Sequence, residues 1–197
     1  MQLIYLPNFI TVLRLFLVPV IVWLIVTDEL FGAFLVFLVA GITDALDGFL
    51  ARRFGWHTEL GAYLDPVADK ALLMSVYAAL GFYHYLPAWL VILVISRDLL
   101  IIGAVMLSWL MSRAGSIRPL MISKLNTVLQ ISLAVLVLAE GGARIGLGSY
   151  IPPLIWMTGL TTGLSAAVYL VIWLRRMARY DLDERLKRGG RDTERLR

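Results

Sequence analysis

The sequence predicts an all-α polytopic membrane protein with six transmembrane helices and both termini cytoplasmic. Three observations carry this. Hydrophobic residues make up 60% of the 197-residue chain and charged ones 16%, with a mean hydropathy of +0.81. A soluble domain of this size has too little interior to hide so much apolar side chain. Apolar runs near the ~20 residues needed to cross a bilayer recur along the chain. Finally, the basic residues of the loops collect on alternate turns of the predicted path.

The first span is placed at about 9–26, FITVLRLFLVPVIVWLIV, with Pro19 as a kink. The preceding residues lack the basic start and small-residue cleavage site of a signal peptide, so this segment is expected to remain as a membrane helix. TDEL makes a short turn. The second span begins near Phe31 and runs into Asp44. The third covers about Gly61 to Tyr83 and the fourth about Pro87 to Met111. The fifth covers about 119–139. The sixth starts after Pro152-Pro153, residues suited to a helix entrance, and ends at Leu174. This gives one membrane domain, 1–174, and a basic cytoplasmic tail, 175–197. No repeat or second domain is visible.

Orientation follows from the loops. Arg52 and Arg53 lie in one, Arg113 and Arg118 in another, and nine basic residues in the tail; all fall on one side of a six-span path. The opposite loops contribute only Arg144. By the positive-inside rule the basic side is cytoplasmic. The tail holds nine basic and five acidic residues, whereas the rest of the chain has nine of each, so the net charge of +4 resides there. It reads as an anchor on anionic headgroups rather than a nucleic-acid binder, because it directly follows a span. Trp23, Trp89, Trp156 and Trp173 lie near predicted span ends, as interfacial tryptophans do. Gly159-x-x-x-Gly163 reads as close helix packing within the chain rather than a dimer seam. There is no cysteine, hence no disulfide or thiol chemistry, and two histidines make a histidine metal site improbable.

Against this apolar background, DALDGFLARRFGWHTELGAYLDPVAD carries four aspartates. Asp44 and Asp47 are three apart on one predicted helix, and Asp65 and Asp69 four apart on the next, so each pair shares a face. A short linker makes the two helices expected antiparallel neighbours with the pairs facing each other. Carboxylates in a membrane helix mark a functional site. Four together repel in a low dielectric and need protons or cations. Oxygen-only donors suit a hard divalent ion, Mg²⁺ or Mn²⁺, and two such ions bridged by shared carboxylates suit phosphoryl chemistry. Salt bridges to Arg52, Arg53 or Lys70 are the plainer alternative, but these bases are too few to neutralise four acids. Gly48, Ala51 and Gly61 leave a small-residue surface where a flat ligand can approach, and Arg52 can meet a phosphate bidentately.

Asp44-x-x-Asp47-Gly48-x-x-Ala51-Arg52, eight residues, then Gly61-x-x-x-Asp65-x-x-x-Asp69 resembles the signature of the CDP-alcohol phosphotransferases, with every defining position filled. The resemblance implies six membrane helices, a homodimer and a divalent-metal site at the cytoplasmic face. It implies a reaction in which an acceptor hydroxyl attacks the phosphate next to the lipid alcohol and CMP leaves. It makes Asp44, Asp47, Asp65 and Asp69 the metal ligands, and Asp69 also the general base. Gly48, Ala51, Arg52 and Gly61 become the cytidine-nucleotide pocket for CDP-diacylglycerol.

The signature does not choose the acceptor. LPNFITVLRLFLVP and DPVADK are similar to both the phosphatidylglycerophosphate synthases and the cardiolipin synthases of this superfamily. VISRDLLIIGAVML and IRPLMISKLNTVLQ look closer to the cardiolipin synthase type. The glycerophosphate enzymes usually carry Arg-Glu where this chain has Arg97-Asp98, then a further arginine; here Gly103, Ala104 and Val105 follow. Phosphatidylglycerol, with one phosphodiester charge and two acyl chains, is therefore the expected acceptor, and glycerol 3-phosphate the alternative. Arg97, Arg118 and Lys124 are the candidate acceptor-binding cations, with Arg97 partly spent on Asp98. His57, a lone loop histidine, reads as solvated rather than as holding acceptor or headgroup, while Asn8 and Arg14 are less easily set aside, because a charge in the first span needs a partner or a lipid phosphate. A cation transporter and a non-catalytic scaffold are the competing classes. The first expects an inverted repeat and broken midplane helices, and the second has no need of glycine and arginine at fixed offsets from the acids. Without a transit peptide, the expected location is a prokaryotic plasma membrane.

Overall fold

A computed structural model describes residues 6–54, 59–110 and 121–195, with side chains described for 12–44, 68, 70–103 and 121–175. Among these residues there are six α-helices and no strand: α1 (Leu6–Val26), α2 (Leu30–Phe54), α3 (Glu59–Phe82), α4 (Ala88–Leu110), α5 (Met121–Ala143) and α6 (Ile151–Arg195). The helices agree in order with the six predicted segments. Helix is the expected backbone here, because it satisfies its own hydrogen bonds without help from water. α5 (Met121–Ala143) and the stretch Gly148–Arg175 are long and apolar enough to cross a membrane. Val12–Val26, Leu30–Asp44 and Lys70–Phe82 are shorter apolar helical stretches.

Two helices outrun the apolar spans read from the sequence. α2, expected to carry Asp47 beyond the span limit at Asp44, continues helically to Phe54. α6 passes Leu174 and continues to Arg195, through the segment read as a separate tail. In both places hydropathy changes while strong helix formers continue: Arg, Leu and Ala make up about half of the added residues. In the tail, Asp181 and Arg185, Asp183 and Lys187, and Glu184 and Arg188 stand four apart, the spacing that favours helix.

The helices pack in a closed circuit. α1 lies against α2 and α3, α2 against α5, α5 against α6, α6 against α4, and α4 against α3, while α3 also touches α5. Ile21, Phe37, Val76, Leu80, Leu90, Val94, Leu133 and Leu138 fill the interior. α1 contacts both α2 and α3; the facing of the two acid-bearing stretches expected from the short linker falls on side chains outside the described residues.

Three turns gather at one end. α1 and α3 finish alike: Glu29 N–H donates to Leu24 O and Asp28 N–H to Ile25 O, as Tyr85 N–H does to Leu80 O and His84 N–H to Gly81 O. Asp28 and His84 take the left-handed conformation, each with φ 63°, which ends a helix while satisfying its last carbonyls. The Tyr85 hydroxyl donates to Asp28 Oδ1, tying the two turns together. This hydrogen bond, with a smaller contribution from desolvation, holds the tyrosine above its usual pKa. The end of α5 reaches the same place, where Gly141 and Gly142 meet Leu30 and Phe31 at the start of α2.

Gly142 is required there. A Cβ at this position would stand 2.3 Å from the backbone nitrogen of Phe31, and backbone cannot swing aside. Gly142→Ala is therefore expected to destabilise by about 1–3 kcal/mol, outweighing the gain in helix propensity of at most about 1 kcal/mol. A melting temperature in detergent equal to or above that of the parent would contradict the close approach. Gly159 serves similarly within the chain, since Trp89 Cζ3 lies 2.7 Å from its Cβ position and the Trp89 ring stacks against Trp156 at 5.2 Å. Gly163 faces open space.

Candidate active site

The aspartate motif lies on two continuous helices. On α2, Asp44, Asp47, Gly48, Ala51 and Arg52 follow helical spacing and form one stripe. On α3, Gly61, Asp65 and Asp69 do the same. The side chains of Asp47, Arg52, Asp65 and Asp69 lie outside the described residues, as does Arg118. No group of three or more acids or histidines suited to a metal occurs among the described residues. The donor chemistry fits a hard divalent ion: the motif offers carboxylate oxygens only, from two helix faces.

Asp44 is described, and its side chain is 42% exposed. Arg14 of α1 reaches it, with Nη2 2.6 Å from Asp44 Oδ1. Arg14 itself is only 2% exposed. A buried guanidinium needs an anionic partner, because leaving it uncompensated costs several kcal/mol. The packing of α1 on α2 explains how a first-helix arginine meets a second-helix carboxylate. Arg14 thus orients one of the four acids.

A second charged cluster lies on α3 and α4. Asp98, 1% exposed, receives both Lys70 Nζ at 2.8 Å and Arg97 Nη1 at 2.5 Å on the same oxygen, Oδ1. Arg97 is 2% exposed and also donates through Nη2 to Ser123 Oγ of α5 and, at 2.9 Å, to Ser165 Oγ of α6. Its guanidinium stands over the Tyr169 ring, 5.9 Å from the centroid. The expectation that Arg97 is partly spent on Asp98 holds, and its other donors are also directed at protein groups. Lys124, next to Ser123, is exposed. Below this level Asn126 Oδ1 accepts from Thr161 at 3.0 Å and Thr162 at 2.7 Å, joining α5 to α6.

Sequence reasoning named Lys70 only as a possible salt-bridge partner and missed Ser123, Ser165 and Tyr169. The adjacent charges Arg97-Asp98 in an apolar helix were the visible signal. Serines and a tyrosine on distant helices gave none, since their relevance depends on packing.

A family model described as CDP-alcohol phosphatidyltransferase matches residues 4–173. The chain is 37% identical to the chloroplastic CDP-diacylglycerol–glycerol-3-phosphate 3-phosphatidyltransferase 1 of Oryza sativa subsp. japonica, over 83% of this chain and 55% of that protein. It is 33% identical to the cardiolipin synthase (CMP-forming) of Homo sapiens, over 83% of this chain and 60% of that protein. It is 35% identical to a probable phosphatidylglycerophosphate synthase of Mycobacterium tuberculosis, over 70% of this chain and 68% of that protein. The chain spans little more than half the length of the rice and human proteins.

Proposed function

Because the chain belongs to the CDP-alcohol phosphatidyltransferase family, we propose that it transfers the phosphatidyl group of CDP-diacylglycerol to a hydroxyl of phosphatidylglycerol, giving cardiolipin and CMP. The motif on α2 and α3 supports the donor half. The acceptor half is supported by the likeness to cardiolipin synthases and by the absence of a further cation in residues 99–107 after the buried Arg97-Asp98 pair, where Leu99 and Ile102 are exposed. Gly103 beside them faces open space. An apolar, open surface suits acyl chains better than a small dianion.

In this reading Asp44, Asp47, Asp65 and Asp69 hold two divalent ions, Mg²⁺ or Mn²⁺. Such ions, when bound, supply Lewis-acid neutralisation of phosphate charge. Arg52 grips the pyrophosphate, with Gly48, Ala51 and Gly61 leaving room for the cytidine nucleotide. Arg14 keeps Asp44 turned to its task. The acceptor oxygen attacks the phosphorus next to diacylglycerol, the bond from that phosphorus to the CMP oxygen breaks, and Asp69 takes the hydroxyl proton. Lys124 meets the single phosphodiester of the lipid acceptor, with Arg118 beside it, while Arg97 serves the same pocket from within. Six membrane spans, a homodimer and a site at the cytoplasmic face complete the proposal, supported by the loop charges and the family resemblance.

Transfer to glycerol 3-phosphate is the second reading, favoured by the 37% identity to the rice enzyme. A radiolabelled-product assay with both acceptors separates them. Phosphatidylglycerol is expected to stimulate CMP release strongly and glycerol 3-phosphate weakly. Lys124→Ala is expected to raise the apparent KM for phosphatidylglycerol about tenfold, the scale of one charge-assisted phosphate contact, with a smaller change for CDP-diacylglycerol. Formation of phosphatidylglycerophosphate without cardiolipin would retain the family reading and overturn the acceptor.

A further inference from the structure

Asp98 sits where four helices are tied together. Its Oδ1 holds Lys70 of α3 and Arg97 of α4, and Arg97 in turn holds Ser123 of α5 and Ser165 of α6. Lys70 directly follows Asp69 in the chain, and Lys124 directly follows Ser123. The two ends of this buried chain of contacts are thus one residue from the proposed base and one residue from the proposed acceptor cation. α4 does not pack directly on α5 among the described residues, so the side chain of Arg97 is what spans that gap.

The placement is electrostatically purposeful. Two cations share one carboxylate oxygen, leaving the group with a formal excess of one positive charge. Asp98 is 1% exposed, so water cannot stand in for it. Arg97 has a planar fork that reaches two serines at once, which a lysine could not reproduce. Buried ion pairs of this kind often add no net stability over apolar packing.

We propose that Asp98 is a positioning residue for phosphatidyl transfer: through Lys70 and the Arg97–Ser123 contact it sets the spacing between the carboxylate side of the site on α3 and the acceptor-binding side on α5. The inference rests on the phosphatidyl-transfer reading for its consequence, although the spacing itself is measurable without turnover. Arg97 accordingly acts on the acceptor mainly by holding α5, and with it Lys124, in place.

The test uses Asp98→Asn, which keeps shape and removes charge, beside Asp98→Glu and Lys70→Gln. Lys70 is 29% exposed, so water replaces its contact and that variant is expected to fold. For Asp98→Asn the expected result is a rise of about tenfold in KM for the lipid acceptor and a fall in kcat, with KM for CDP-diacylglycerol within about twofold. Lys70→Gln should show the same pattern more weakly, and Asp98→Glu should recover part of the loss. The cysteine-free chain also accepts a pair of spin labels at exposed Ile92 on α4 and Leu125 on α5, the helices that the Arg97–Ser123 contact bridges. Their distance distribution should broaden in Asp98→Asn and remain narrow in the parent. Unchanged spacing with unchanged kinetics overturns the proposal. So does a fall of apparent kcat in proportion to the folded fraction with both KM values unchanged, since that marks a purely structural contact. A parent inactive with every acceptor defeats the transfer reading instead, and the label distances then still decide whether Asp98 sets the spacing.

Discussion

Asp65→Asn is expected to give a protein that inserts and purifies normally but releases CMP at least about 10³-fold more slowly. The substitution removes one ligand charge from the Gly61, Asp65, Asp69 stripe of α3. Lewis-acid stabilisation of a phosphoryl oxygen is worth several kcal/mol, and each 1.36 kcal/mol is tenfold in rate. About 4 kcal/mol thus corresponds to roughly three orders of magnitude. Asp44→Asn should be as damaging to turnover, but it also weakens the contact with buried Arg14, so part of its effect will appear as lost stability. Asp65 is the cleaner test. The measurements are CMP release at saturating Mg²⁺ or Mn²⁺ and calorimetric titration of Mn²⁺ into detergent-purified protein. Near-parental activity with undiminished Mn²⁺ binding would remove Asp65 from the metal-ligand set.

Asp69→Asn should separate binding from chemistry. A general base acts on the proton only as the acceptor oxygen attacks, and its loss typically costs about 10² to 10⁴ in rate. CDP-diacylglycerol affinity should change far less, because binding does not require proton acceptance. Equilibrium binding of the nucleotide lipid, set beside single-turnover rates, gives the comparison. A parallel fall of both quantities would leave Asp69 as a ligand without a role as base.

The parts of this molecule that were legible in the sequence are those written locally. Apolar segments marked six helices, and the ends of α1 at Val26 and α3 near Phe82 coincide with turn residues. The aspartates announced themselves by cost, being acids in apolar surroundings. What hydropathy could not tell was where helix stops, because it measures preference for solvent rather than backbone conformation. Hence α2 runs ten residues past Asp44 and α6 runs on into the charged segment. The contact of Arg14 with Asp44 exists because α1 packs on α2, and nothing within either segment alone encodes that. Ser123 and Ser165 were equally silent, since a lone hydroxyl in an apolar helix becomes informative only once a guanidinium is found beside it.

The packing circuit also bears on the order in which the molecule is made. Synthesis delivers α1, α2 and α3 first, and α1 can dock with each of the other two as they emerge. α2, however, takes its other neighbour from α5, two helices later, and α4 waits for α6. A nascent chain that ends after α4 therefore has α1, α2 and α3 associated but two open flanks, and Arg97 has neither Ser123 nor Ser165 to hold. In the proposed reading, the helices carrying the aspartate motif are therefore made before the helix that carries Lys124. Closure of the circuit waits for α5 and α6, and until they join, the contacts that Arg97 makes with Ser123 and Ser165 are missing.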